Sequence, residues 1–232
     1  MPVADGLLAR FRPEAGLSAD QLTALADAAE THGNGLLEVT ARGNLQVRGL
    51  SESSAAQFRT ALADAGIFAQ PAPAIEISPL AGEDPKAIAD PRPLAEALRA
   101  VCDEALAQGP LSPKLSIVLV TGGQILLDGL KADIRLIARQ KGWALELGSD
   151  TLGELDEVDV PAAVAIILDT LQAEGPRARA SDLAAAPIAA KIENLRPLAH
   201  SSVRPASYMV GPLSLSGHAP ALRVGLPFGQ VR

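Results

Sequence analysis

One stretch of the chain alternates strictly between apolar or small and polar side chains, and it constrains the fold more than any other feature. In "LLEVTARGNLQVRGL" (36–50), Leu37, Val39, Leu45 and Val47 share one parity, while polar residues occupy the other. Successive side chains of a β-strand point to opposite faces of a sheet, so the pattern predicts strands with one buried and one polar face. The residues "RGN" (42–44) predict a turn between two strands.

Two helical segments flank this stretch and complete a recognisable unit. "LSADQLTALADAAETHG" (17–33) has apolar residues at helical spacing, Ser18 as N-cap, Gln21 as its capping-box partner and Gly33 as a stop. "GLLARFR" (6–12) suits a strand and "SSAAQFRTALADAG" (53–66) a second helix. The predicted order is β-α-β-β-α over residues 1–70, which is half of a ferredoxin-like arrangement.

A Pro- and Gly-rich segment, "QPAPAIEISPLAGEDP" (70–85), predicts a boundary, and a second α+β unit over residues 71–175 follows it. In "KLSIVLVTGGQILLDG" (114–129), two apolar runs around Gly122-Gly123 predict a two-stranded hairpin. The small-residue-rich segment 176–205 predicts a linker, because its helical face is poorly defined.

Charge and cysteine content limit the partners of the chain. The formal net charge is −7, so a general attraction to nucleic acid or to an anionic membrane is not expected, and an anion site must be local. No apolar run approaches the roughly 20 residues that span a bilayer, and residues 1–16 lack the order of a secretory signal, so we expect a cytoplasmic protein. The lone cysteine, Cys102, cannot supply the thiolates of an iron–sulfur cluster.

The polar parity of the opening stretch contains the candidate binding residues: Thr40, Arg42, Asn44, Gln46 and Arg48. On one strand face these side chains would present two guanidinium groups, two amides and a hydroxyl. Guanidinium groups grip carboxylates with paired charge-assisted hydrogen bonds, so such a face suits a ligand with several carboxylates. The alternative is that an antiparallel sheet shows this face to water, and spacing alone does not decide between the two.

A family resemblance adds to this interpretation. "DGLLARFR" and "GNGLLEVTARGNLQVRGL" resemble the ferredoxin-like half-domain of the nitrite and sulfite reductase family, in which a Thr-x-Arg-x-x-x-Gln motif faces a tetrapyrrole. Thr40, Arg42 and Gln46 match that motif. "SPLAGEDP", "LSPKLSIVLVTGG" and "ALRVGLPFG" resemble segments of the cobalamin-pathway branch of the family in the same order. The implied fold class is α+β, a ferredoxin-like half-domain followed by a nitrite/sulfite reductase-type α+β domain, with residues 206–232 starting a second half-domain.

The resemblance also implies roles for individual residues. It assigns tetrapyrrole or anion contacts to Thr40, Arg42, Asn44, Gln46 and Arg48. Lys114 occupies the place of a family lysine after a Pro-containing turn, where an ammonium could meet a substrate carboxylate. The alternative for Lys114 is an exposed lysine at the start of a strand.

Two departures from the family pattern bear on function. The family commonly carries an Arg-Asn pair before "SPLAG", whereas this chain has "PAPAIEI" there. The cluster-binding cysteines of the family lie in a C-terminal half, so the resemblance covers nearly all of this chain but only about the first half of a typical member. The chain by itself is expected to bind no cofactor, although the family implies a [4Fe–4S] cluster with non-haem iron or sirohaem.

The resemblance leaves several functions open. The cobalamin branch implies an oxygen-dependent hydroxylation of precorrin-3A with lactone formation, to which this chain would contribute tetrapyrrole binding. The alternatives are a sirohaem-binding nitrite or sulfite reductase-like fragment and a tetrapyrrole-binding module without chemistry, so enzyme activity and catalytic residues stay undecided. The expected protein partner is a second copy of the chain or a cysteine-bearing C-terminal half.

The remaining candidates favour structural roles. His32 sits near a predicted helix C-terminus, and His200 and His218 lack metal-ligand spacing, so no metal site is predicted. Cys102 lies among Ala and Leu of a predicted helix and is most simply a small core residue.

Overall fold

A computed structural model of the chain describes residues 2–3, 6–40, 42–198, 210–217, 220–226 and 229–231. The chain divides into two compact units. The first consists of residues 1–71 together with 224–232, and the second of residues 72–223.

The first unit is one antiparallel sheet with two helices, and along the chain it has the predicted β-α-β-β-α order. The strand order in the sheet is β1-β2-β4-β3-β12. The strands are β1 (Pro2–Val3), β2 (Gly6–Phe11), β3 (Leu37–Val39), β4 (Leu45–Leu50) and β12 (Gln230–Val231), and the helices are α1 (Ala19–His32) and α2 (Glu52–Asp64). The predicted capping box of α1 is present, with Ser18 and Gln21 exchanging side-chain to backbone hydrogen bonds.

A β-bulge interrupts the alternation inside β4. Val47 and Leu50 are both buried in the core of the first unit although they lie three residues apart. Between them, Arg48 and Gly49 stand opposite the single residue Leu8 of β2. Gly49 has a φ of +75°, and an added Cβ would come within 2.9 Å of Asn34 Cβ, so glycine fits this bulge better than any other residue. The sequence alternation therefore holds only up to Val47.

The second unit is a mixed five-stranded sheet in the order β5-β6-β7-β8-β9, with helices packed on its apolar face. Its first three strands run parallel and its last pairings are antiparallel. The elements are β5 (Ala74–Glu76), α3 (Arg92–Gln108), β6 (Ser116–Val120), β7 (Ile134–Arg139), β8 (Gly142–Leu147), β9 (Asp150–Leu155), α4 (Val160–Glu174) and α5 (Ala185–Ala189). Cys102 is fully buried in α3 as part of this core, as its surroundings predicted.

The predicted hairpin around Gly122-Gly123 is wrong. The strand β6 is real, but residues 121–130 form turns and no second strand, and β6 pairs in parallel with β5 and β7. The positive φ values expected for a hairpin loop are present, at 73° and 86°. Here they instead redirect the chain towards an isolated bridge between Ala87 and Gly122.

The segment 176–205 was predicted to be a linker, but its described part, 176–198, packs against the second unit. Ile188 and Ile192 are buried in the core of the second unit. The sequence pattern did not predict this burial, because the neighbouring residues are small and define no clear apolar face. Asp133, 3% exposed, anchors the start of this segment by accepting from Arg179 Nε at 2.8 Å, Arg179 Nη2 at 2.9 Å and the Ala180 amide at 3.0 Å. Residues 199–205 lie outside the described residues.

The segment predicted to start a second half-domain, 206–232, is divided between the two units. A two-stranded antiparallel sheet of β10 (Gly211–Leu213) and β11 (Ala221–Arg223) belongs to the second unit, and β12 pairs with β3 in the first. Residues 206–209, 218–219, 227–228 and 232 of this segment lie outside the described residues. Among the helices of the described chain, none has the length and apolar character that crossing a membrane requires.

Candidate functional site

A row of three polar side chains crosses three strands of the first unit. In the sheet register, Arg10 of β2 faces Gln46 of β4, and Gln46 faces Glu38 of β3. Directly opposed residues of antiparallel strands present their side chains on the same face and within contact distance. The polar face of the first unit therefore has a continuous middle row.

Gln46 holds this row together. It is only 6% exposed, and its Oε1 accepts from Arg10 Nε at 2.7 Å while its Nε2 donates to Glu38 Oε2 at 3.3 Å. An amide that accepts at one end and donates at the other fixes the orientation of both neighbours. The predicted motif glutamine thus positions an arginine, so its amide is already engaged before any ligand arrives.

Glu38 is the acidic member of the row. It accepts from Arg48 Nε at 3.0 Å and, on its other oxygen, from Gln230 Nε2 at 3.0 Å. The hydrogen bond from Arg48, followed by that from Gln230, lowers the pKa of Glu38 below its ordinary value. Glu38 therefore stays ionised near neutral pH and binds one of the two predicted arginines.

Thr40, a residue of the family motif, and Asn44, a predicted site residue outside the motif, build the turn between β3 and β4. The backbone amide of Asn44 donates to Thr40 Oγ1 at 3.1 Å, and the backbone amide of Thr40 donates to the backbone carbonyl of Asn44 at 2.9 Å. Gly43 has a φ of +70°, so the predicted turn at 42–44 is confirmed. Arg12, the residue after β2, donates from Nη2 to the backbone carbonyl of Arg42. This hydrogen bond connects the turn to the end of β2.

This part of the first unit carries excess positive charge in a chain whose net charge is −7. Four arginines belong to the face or its turn, namely Arg10, Arg12, Arg42 and Arg48. Glu38 is a carboxylate of their hydrogen-bond network and accepts hydrogen bonds from Gln46, Arg48 and Gln230. Arginine-rich faces of this kind bind ligands that carry several carboxylates.

The six predicted site residues divide between the two units. Gln46 and Arg48 lie on the sheet, and Thr40, Arg42 and Asn44 lie in its turn, so five are brought together in the first unit. Lys114 belongs to the second unit, where it is exposed on a turn closed by the Leu115 amide and the Ser112 carbonyl at 2.9 Å.

Three members of the face were not predicted: Arg10, Glu38 and Gln230. Glu38 shares the parity of the motif, and Arg10 alternates with apolar residues in "LLARF", so both had a sequence signal. Gln230 reaches Glu38 across 192 residues of sequence, and no local pattern indicates that pairing.

The donor set does not fit an iron–sulfur cluster. A [4Fe–4S] cluster is held by four thiolates, and the sequence contains only Cys102. That thiol is fully buried, and desolvation raises its pKa to about 11. Among the described residues, no three His, Cys, Asp or Glu side chains are grouped so that they could hold a metal ion. The candidates His200 and His218 lie outside the described residues.

Comparison with known proteins first gives a family match for the N-terminal part of the chain. Residues 1–65 match the nitrite/sulfite reductase ferredoxin-like half domain, which confirms the resemblance predicted from the sequence. Over its full length, the chain is 41% identical across 245 aligned residues to precorrin-3B synthase of Sinorhizobium sp. The chain spans about half the length of this curated relative, 52%.

A solved structure supports the fold of the whole chain. The structure of Mycobacterium tuberculosis NirA protein matches with a TM-score of 0.69 over 97% of this chain and 47% of that one. At 19% identity this likeness concerns the fold alone. The α+β fold class predicted from the sequence is confirmed.

Proposed function

We propose that the polar face of the first unit binds the carboxylates of a tetrapyrrole, and that the chain is the tetrapyrrole-binding part of a precorrin-3B synthase-type enzyme of cobalamin biosynthesis. The main support is the coincidence of two observations. The chain is similar over its full length to a precorrin-3B synthase, and its family motif lies within an arginine-rich face. The substrate under this proposal is precorrin-3A, and the reaction is its oxygen-dependent hydroxylation with lactone formation.

In this role the residues of the chain bind and orient the substrate. Gln46 fixes Arg10, and Glu38 fixes Arg48, so both guanidinium groups are held before the macrocycle arrives. Arg42, at the tip of a hydrogen-bonded turn, is positioned by the backbone, and Thr40 and Asn44 contribute by closing that turn. Groups held in advance lose little conformational freedom on binding and keep the reacting carbon in one place. Lys114, which is exposed in the second unit, is proposed separately as a carboxylate contact.

The redox chemistry of such an enzyme needs groups that this chain does not hold. A [4Fe–4S] cluster with non-haem iron would supply electron transfer and oxygen activation, and the single buried thiol of Cys102 cannot ligate that cluster. The proposal therefore includes, as the source of these groups, a C-terminal half that carries the cysteines. A second copy of the chain adds only another Cys102, so it is proposed as an association partner and not as the source of the cluster ligands. It also places the chain in the cytoplasm, where a free thiol such as that of Cys102 stays reduced.

Surface features support a protein partner. The two-stranded sheet β10–β11 pairs with no other strand of the described residues. Leu222 on β11 is 69% exposed, and Val210 next to β10 is exposed to the same extent. Unpaired strand edges and exposed apolar side chains favour association with another chain.

Absorbance titration tests the proposal. The chain is titrated with an iron-free precorrin and, separately, with sirohaem. Preferred binding of the iron-free macrocycle, together with turnover of precorrin-3A when a cysteine-bearing C-terminal half is added, is the expected result. Preferred binding of sirohaem would favour a nitrite or sulfite reductase-like role, and binding of neither macrocycle would remove the proposal.

A further inference from the structure

The row of polar side chains in the first unit continues onto a fourth strand, β12. Gln230 lies directly opposite Glu38 in the pairing of β12 with β3, and Glu38 lies opposite Gln46 in the pairing of β3 with β4. Directly opposed residues of antiparallel strands present their side chains on the same face. A residue near the end of the chain is therefore a member of the polar face, in a position that the tetrapyrrole proposal does not use.

The backbone before Gln230 allows β12 to approach β3 closely. Gly229 has a φ of +70°, and an added Cβ would lie 2.6 Å from the Val39 carbonyl oxygen. The Gly229 amide donates to the Leu226 carbonyl at 3.0 Å, which fixes the turn that leads into the strand. Glycine at this position thus seats Gln230 opposite Glu38.

Glu38 is held through both of its carboxylate oxygens. Oε1 accepts from Gln230 Nε2 at 3.0 Å, whereas Oε2 accepts from Arg48 Nε at 3.0 Å and from Gln46 Nε2 at 3.3 Å. Donors on one oxygen leave the carboxylate free to rotate about that contact, and a donor on the second oxygen fixes its plane. The contact from Gln230 therefore determines the direction in which Glu38 presents Oε2 to Arg48.

The same contact influences the ionisation of Glu38. Among the described residues, the cations that act on its carboxylate are Arg48 of β4 and Arg10 of β2. The hydrogen bond from Arg48, followed by that from Gln230, lowers the pKa of Glu38, while burial acts in the opposite direction. Loss of the Gln230 donor should therefore raise the pKa of Glu38 and leave its charge less compensated.

We propose that Gln230 is a positioning residue of the polar face. By holding Glu38 Oε1, it keeps Glu38 Oε2 on Arg48 Nε, and so it sets the direction in which Arg48 meets a ligand carboxylate. The identity of that ligand rests on the proposed function. The contacts from Gln230 through Glu38 to Arg48 lie within the first unit and are measurable in the free chain.

NMR of the free chain tests the positioning role. Gln230→Met keeps the length of the side chain and removes its donor, at an exposed position. The pKa of Glu38, followed through its carboxyl carbon, should rise towards 4.5, and the Arg48 Nε–H signal should shift. Gln57→Met makes the same change at an exposed position of α2 and should alter neither signal. A folded Gln230→Met chain that matches Gln57→Met in either measurement overturns the proposal, whether or not the chain binds a tetrapyrrole.

A double-mutant cycle separates this role from a general weakening of β12. In a Glu38→Ala background, Gln230→Met should no longer shift the Arg48 signal, because Gln230 acts through Glu38. A shift of equal size in both backgrounds would show that residue 230 acts on β4 by another route, and would contradict the proposal.

Absorbance titration with an iron-free precorrin connects the positioning to the ligand. Gln230→Met should bind about fivefold more weakly than the wild type and Gln57→Met, because Arg48 is less well held and the charge of Glu38 opposes an incoming carboxylate. Equal binding by Gln230→Met, despite the NMR changes, would contradict a role in presenting Arg48 to the ligand. A wild type that binds no macrocycle, while Gln230→Met shows the NMR changes, would remove the proposed function and support the contact from Gln230 to Arg48.

Discussion

The Arg48 guanidinium donates from Nε to Glu38 Oε2 at 3.0 Å on the polar face of the first unit, with the two side chains 35% and 17% exposed. This pair places a carboxylate on the face proposed to bind carboxylates. The positive charge of Arg48 is therefore shared between Glu38 and any incoming anion. Glu38 orients Arg48. Under the proposed function it also lowers the affinity of the face for carboxylates, and these two effects can be separated by substitution.

Glu38→Gln should tighten tetrapyrrole binding by about 1 kcal/mol, because it removes one like-charge interaction and keeps an acceptor for Arg48.

Arg42→Ala should weaken binding by about 1.5 to 3 kcal/mol, the range for a hydrogen bond to a charged group. Arg48→Ala should also weaken it, since the substitution removes a contact and exposes the ligand to the charge of Glu38. Absorbance titration measures all three, and unchanged binding in a folded Arg42→Ala/Arg48→Ala variant would restore the solvent-face interpretation.

The same pair predicts a pH dependence of stability. The pKa of Glu38 is lowered from 4.5, first by the hydrogen bond from Arg48 and then by that from Gln230. A lowered pKa in the folded state gives stability that is present above about pH 4.5 and is lost as the pH falls through the lowered value. The free energy of unfolding of the wild type, minus that of Glu38→Gln, should therefore decrease below pH 4.5. Urea denaturation across this range measures the difference, and a difference that grows on acidification contradicts the assignment.

Local patterns in the sequence predicted the elements that neighbouring residues determine. The Ser18–Gln21 capping box, the turn at 42–44 and the β-α-β-β-α order all depend on residues within a few positions of each other. The alternation up to Val47 also placed Glu38 and Gln46 on one face of the sheet, because the alternation of side chains along a strand is a local property.

Features that depend on distant residues were missed. Two apolar runs around Gly122-Gly123 are compatible with a hairpin, and only the parallel pairing of β6 with β5 and β7 excludes it. The segment 176–198 has a weak helical pattern, and its burial depends on Asp133, more than 40 residues earlier, binding Arg179. The contact of Gln230 with Glu38 depends on the pairing of β12 with β3.

Asp133→Asn should destabilise the second unit strongly. Asp133 is buried and accepts from Arg179, Ala180 and the Ser116 amide, so an asparagine leaves a charged partner and backbone donors poorly satisfied. Breaking one side of a buried pair costs about 3 to 5 kcal/mol, and the partial exposure of Arg179 places the expected loss near 3. Chemical denaturation gives this value.

The matched control for that substitution is Asp156→Asn. Asp156 pairs with Arg196 at 2.8 Å, but both side chains are about half exposed. Exposed pairs contribute little, so the unfolding midpoint should hardly change. Equal destabilisation by the two substitutions would show that burial of Asp133 is not the cause.

The chain should hold no [4Fe–4S] cluster after anaerobic reconstitution, because Cys102 is the one thiol in the sequence and it is buried. Iron and acid-labile sulfide assays should give background values. The raised pKa of about 11 also predicts that a thiol reagent reacts with Cys102 at neutral pH only after denaturation. Stoichiometric iron and sulfide in the purified chain would refute the ligand argument.

We expect the chain to self-associate at high concentration or to bind a C-terminal half of the relative's kind. The reason is the β10–β11 sheet, which pairs with no further strand among the described residues and carries Leu222 at 69% exposure. Leu222→Lys adds a charge to this surface and should shift the chain towards monomer in light scattering. Val158→Lys makes the same change at a residue 82% exposed, in the short 3-10 turn between β9 and α4 and outside the β10–β11 sheet, and should associate like the wild type. A wild type that stays monomeric at high concentration and binds no C-terminal half, or equal effects of the two substitutions, would exclude this sheet as the associating surface.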